Sequence, residues 1–190
     1  MKNAVRTVLS LCLPVLAVPA GASTFLALSQ QELAEQADAV VLGKVLTVDS
    51  YWNAEGTLIV TEAMVEVQEK VLGETPEHVR LLTFGGEVAD YKIEAHGFPT
   101  FEKGERLLVY LEPARNGFRR VLGYQQGQYR IRKDKQGKDV AVPALDLGAH
   151  VVLQDGTAAP APRAVALDQL KSQIRDAAAQ VGRTDVQDLR

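Results

Sequence analysis

The clearest rhythm in the chain runs from position 58 to 71. Ile59, Ala63, Val65, Val67 and Val71 fall on one parity, and Glu62, Glu66, Gln68 and Lys70 on the other. A period of two turns the first set inward and the second to water, which predicts a half-buried strand closed by Gly73. Segment 39–48 is different, being almost all apolar and broken by Gly43 and Lys44. It reads as a strand buried on both faces near its middle, with Gly43 allowing a sharp coil or a close backbone approach. A third strand spans 79–84 and ends at Gly85-Gly86, and 88–95 forms an extra arm. Glu102-Lys103-Gly104 turns the chain into a strand at 106–111, with Leu107, Val109 and Leu111 on one face. Asn116-Gly117 predicts a hairpin to 118–122, and Lys135-Gln136-Gly137 predicts another between 129–132 and 139–142. A weak last strand lies at 151–153.

Helical spacing occurs near the two ends of this region. Ser29-Gln30-Gln31-Glu32 is a capping box, and Leu33 and Ala37 give the short helix after it one apolar face before Asp38 ends it. Thr157 begins an Ala/Pro linker over 157–163. Beyond it Leu167, Leu170, Ile174, Ala177 and Val181 mark one amphipathic helix within 164–190.

The start of the chain has another pattern. Lys2 and Arg6 precede an apolar run at 8–18, and Ala20-Gly21-Ala22 is a small-x-small cleavage site. Residues 1–22 therefore read as a secretory signal peptide cut between Ala22 and Ser23, with the domain proper at 23–156. The expected location is the periplasm or the exterior. Cys12 is the only cysteine and lies in this leader, preceded by Leu11 where a lipoprotein signal wants a small residue. The exported domain would then carry no disulfide, which suits a bacterial periplasm or exterior. Without Lys2 and Arg6, 19 basic residues face 24 acidic ones, and that balance argues against nucleic acid as partner.

Several elements in order resemble one family. Ala37-Asp38-Ala39-Val40-Val41-Leu42-Gly43-Lys44-Val45 is followed by Lys70-Val71-Leu72-Gly73, then His96-Gly97, then the run from Phe101 through Gly104 to Tyr110. The set is similar to the netrin-module/TIMP-like superfamily of OB-fold barrels, over roughly residues 36–122. The resemblance implies a mainly β fold: a closed five-stranded OB-like barrel with an extra hairpin, a short N-terminal helix and an amphipathic C-terminal helix. It also implies a protein-binding role, with a periplasmic or extracellular protease as one partner. The family's disulfides are absent, His96-Gly97 stands where Cys-Gly usually lies, and Ser23 replaces the zinc-chelating amino-terminal cysteine of the inhibitors. In the family the amino-terminal strand and neighbouring loops meet the partner, which places the expected contact at Ser23, Thr24, Phe25, His96 and Phe98.

Materials for catalysis are few. Ser23, Ser29, Ser50 and Ser172 sit in no nucleophile-elbow pattern, and His78, His96 and His150 share no metal-ligand spacing. Glu94 and His96 would project together from one strand face. Gly85-Gly86 is followed by no helix with a Lys-Ser/Thr pair, so it is no phosphate loop. Tyr51-Trp52-Asn53 holds the only tryptophan, between the first two strands and with no second aromatic near it in sequence, so it reads as a cap on the barrel end. The expectation is a non-enzymatic exported binding module without cofactor or metal. The alternative is an enzyme or small-ligand carrier with a site at the barrel mouth near His96.

Overall fold

The computed structural model describes residues 23–144 and 149–187; residues 1–22, where a leader is expected, and Cys12 among them lie outside the described residues. The elements run β1 (Ser23–Leu26), α1 (Gln30–Gln36), β2 (Ala39–Trp52), β3 (Ile59–Leu72), β4 (His78–Phe84), β5 (Gly86–Val88) and β6 (Tyr91–Ile93). There follow β7 (Arg106–Leu111), a 3-10 turn (Tyr124–Gly127), β8 (Gln128–Lys133), β9 (Asp139–Pro143), β10 (Ala149–Val152), β11 (Val165–Ala166) and α2 (Leu167–Gln187).

The apolar run that opens β2 explains the architecture. Its side chains alternate between two faces, and both faces are covered. Val40 and Leu42 join Leu108, Tyr110, Tyr129 and Ile131 in a core roofed by Leu33 of α1 and by Leu167, Leu170 and Ile174 of α2. Val41 and Val45 join Ala63, Val65, Leu81, Leu107 and Val109 in a second core on the opposite side. β7 is shared in the same way. Gly43 sits where the strands press together: a Cβ there would lie 2.5 Å from Val65 Cγ1 and 2.7 Å from the Glu66 carbonyl oxygen. Register shifts at Val40/Val41, Leu42/Gly43 and Val45/Thr47 mark bulges that coil the β2–β3 pair. β2 also runs on through Tyr51 and Trp52, so the tryptophan belongs to the strand rather than to the loop after it.

The expected closed five-stranded OB-like barrel does not form. Seven strands make one open antiparallel sheet in the order β11-β9-β8-β7-β2-β3-β4, with β4 and β11 at its edges. Competition for the free edge of β7 explains why. Residues Leu107, Leu108 and Val109 are paired with β8, so 118–122 reaches only the strand's end. There Leu122 N–H donates to Tyr110 O at 2.9 Å and Glu112 N–H to Arg120 O at 2.9 Å. On its other side the segment meets β4 through a single bridge, Leu81 with Arg119. The predicted strand at 118–122 is thus a set of isolated bridges. The Asn116-Gly117 turn itself forms, with φ of 52° and 81° and Arg115 bridged to Phe118.

The extra arm is the β5–β6 hairpin, a separate two-stranded sheet. The capping box of α1 is complete: Ser29 Oγ accepts from Glu32 N–H at 3.1 Å, and Ser29 N–H donates to Glu32 Oε2 at 2.8 Å. Those bonds hold the Glu32 carboxyl below its ordinary range. α2 is fastened at its polar flank, where Lys171 and Arg175 reach Glu69 of β3 at 3.0 and 2.8 Å. Its predicted position Val181 has a side chain outside the described residues.

Residues 23–26, which hold three of the expected contact positions, are built into a sheet. They form β1, which pairs in parallel with β10, Ser23 opposite Ala149 and Phe25 opposite Val151.

Candidate functional site at the 96–98 loop

The loop after β6 is pinned from three directions. Gln125 N–H donates to Gly97 O at 3.0 Å. Thr83 Oγ1 donates to Pro99 O at 3.0 Å, and Gln128 Nε2 to Thr100 O at 2.7 Å. Gly97 has φ 85°, and a Cβ there would fall 2.0 Å from Phe25 Cε2. Only glycine lets the Phe25 ring come this close to the backbone.

Around that contact four aromatic rings gather. Phe25 and Phe98 stand 5.0 and 4.9 Å from Tyr124 and 6.4 Å from each other, and Phe84 lies 5.2 Å from Phe98. The Arg120 guanidinium sits 5.5 Å from the centre of the Phe84 ring. Tyr124 adopts φ 58°, a left-handed conformation that a bulky residue takes only under constraint. It is nonetheless 45% exposed. Strain of this kind persists where the surroundings over-determine it, and it collects at working surfaces.

The structure places the sequence-predicted residues as follows. Phe25 and Phe98 are half-buried members of the ring cluster, and His96 is exposed on the adjoining loop. Thr24 is exposed on β1 opposite His150. Ser23 opens β1, and its side chain lies outside the described set. Glu94 and His96 do not share a strand face, because β6 ends at Ile93; Glu94 pairs with Lys92 at 2.5 Å. Sequence reasoning missed Phe84, Arg120 and Tyr124. The one local signal was Gly123 before Tyr124, a doublet suited to a left-handed turn.

Beside the ridge a cleft of about 440 Å³ is lined by Val48, Ser50, Thr61, Thr83, Lys92 and His96. Its hydroxyls are committed to the fold. Ser50 Oγ lies 2.8 Å from Thr61 Oγ1, which donates to Gly85 O at 2.6 Å. The other large hollow, about 580 Å³, lies against Leu28, Leu33, Tyr129, Pro143 and Pro160. At its base Gln30 bridges two buried tyrosines, donating to Tyr129 Oη and accepting from Tyr110 Oη at 2.7 Å. Burial pushes the pKa of both phenols upward, so they stay protonated well beyond the usual tyrosine range.

The buried perturbed groups thus sit in the fastenings of the core. Glu105 is the remaining buried one: burial pushes its carboxyl up, against a Glu102 N–H at 2.7 Å and Arg130 Nε at 3.2 Å. Among the described residues no three His, Cys, Asp or Glu side chains gather to hold a metal ion. The geometry offers a stiff, half-exposed aromatic surface with the Arg120 guanidinium at its rim. Comparison with protein-family models and with curated proteins finds no match for the chain.

Proposed function

We propose that this chain is an exported, non-enzymatic protein-binding module whose contact face is the ridge of Phe25, Phe98 and Tyr124. The supporting observation is the strained, half-exposed Tyr124 packed on both phenylalanines beside the pinned 96–98 loop. Rigid aromatic side chains lose little entropy on docking and dominate small interfaces. Arg120 and the exposed His96 supply polar contacts at the rim. The leader at 1–22 supports export, and the netrin-module/TIMP-like resemblance makes a periplasmic or extracellular protease the first partner class to examine.

The test is site-specific photo-cross-linking in the exported protein, with the probe at position 124 or 98. One discrete adduct is expected, formed from both positions and not from position 74 on the far end of the sheet. With the partner purified, Tyr124→Ala should weaken binding about 30-fold, the equivalent of losing ~2 kcal/mol at a hot spot. Equal affinity for wild type and Tyr124→Ala would place the interface elsewhere. Substrate turnover by the purified chain that vanishes with His96→Ala would overturn the non-enzymatic reading.

A further inference from the structure

The tryptophan is not a solitary cap. Tyr91, brought in by the β5–β6 hairpin, stands 5.6 Å from Trp52 at an interplanar angle of 74°. The two rings form an open corner, one a floor and the other a wall. Tyr91 is 64% exposed and Trp52 36%, and the flanking Tyr51 and Leu58 are exposed as well.

The corner is held stiffly on both sides. Asn53 Oδ1 accepts from the N–H groups of Thr57 at 2.8 Å and Leu58 at 3.0 Å, which fixes the turn after Trp52. Across from it, Val88 pairs with Tyr91 around a tight turn in which Ala89 takes φ 52°. Ser50, two residues before Trp52 and on the same face of β2, lines the 440 Å³ cleft. The aromatic corner and the cleft therefore open on one side of the sheet.

We propose that this corner is a stacking subsite for a neutral saccharide, with the cleft receiving an adjoining sugar unit. The C–H face of a pyranose carries slight positive charge and lies well on the electron-rich face of an indole or phenol ring. Charge sets two anionic ligand classes aside. Residues 49–58 and 86–95 carry Asp49, Glu55, Glu87, Asp90 and Glu94 against Lys92 alone, and Lys92 is paired with Glu94. That field repels nucleic-acid phosphates and anionic lipid surfaces, whereas carboxylates are good acceptors for sugar hydroxyls.

Trp52 is the only tryptophan in the chain, so its emission reports on this site directly. The intact protein would be titrated with cellotetraose, maltotetraose and the tetramer of N-acetylglucosamine, with phosphatidylcholine vesicles and a thymidine oligonucleotide in parallel. A saturable change with at least one saccharide is expected. Tyr91→Ala should weaken it by about tenfold or more, as removal of one stacking ring does, while Tyr91→Phe and Glu74→Ala keep it. Tyr91 is largely exposed, so the fold survives these changes, and circular dichroism checks that. No emission change at millimolar saccharide would overturn the proposal. So would unaltered affinity in Tyr91→Ala, or a response to vesicles or oligonucleotide alone.

Discussion

Replacing Gly97 by alanine strikes the ridge in two separable ways. The backbone there has φ 85°, so any Cβ carries the left-handed penalty of about 1–2 kcal/mol. The same Cβ would lie 2.0 Å from Phe25 Cε2 and 2.4 Å from Cζ, so the ring must leave its place, at a further ~1–3 kcal/mol. The single variant should therefore lose roughly 2–5 kcal/mol. In a Phe25→Ala background the collision is gone and only the backbone share, about 1–2 kcal/mol, remains. Urea melts of the four proteins, followed by circular dichroism, give the coupling between the two sites, expected at roughly 1–3 kcal/mol. Additivity within ~0.5 kcal/mol would refute the reasoning, because it would mean that Phe25 does not rest on Gly97.

Three further outcomes follow from the packing and the buried polar groups. Leu107→Ala and Leu108→Ala should each cost ~2–5 kcal/mol in urea, because the two side chains fill different cores; Glu66→Ala, exposed on β3, should cost under ~0.5. Gln30→Leu should destabilise by about 1–3 kcal/mol by stranding the Tyr110 hydroxyl, with the exposed Gln31→Leu as a near-neutral control. Glu105 has a carboxyl raised by burial, so between its ordinary 4.5 and the raised value the folded state binds more protons than the unfolded one. Stability from this group therefore grows as pH falls through that window, and wild type should gain on Glu105→Gln in denaturant midpoints measured from neutral pH downward. A constant difference across the series would contradict the assignment.

Local patterns in the sequence carried a good share of this. The Ser29–Glu32 box, the span of β7, the Gly43 approach and the α2 face of Leu167, Leu170 and Ile174 are all read from neighbours within a turn or a strand. Partner choice between distant segments was not legible. The Asn116-Gly117 turn makes 118–122 look like a strand, yet whether it pairs depends on β8 having already taken the edge of β7. The resemblance groups Phe25 with Phe98, but nothing in the sequence brings Tyr124 and Phe84 to join them. Tyr91 carries no mark in the sequence that it will meet Trp52.

The pairing of β1 with β10 imposes an order in time. Leu26 O accepts from Gln126 Nε2, a residue 100 positions later, and Ser23 finds its strand partner only at Ala149. A chain delivered from its amino terminus presents Phe25 early and can seat it only once β10 has followed. Pulse-labelled amides at 24–26 should accordingly gain protection after those of β2, whose partner β3 follows directly. The surface proposed to meet a partner is then absent from any chain that ends before β10, and its appearance reports that β1 through β10 have all been made.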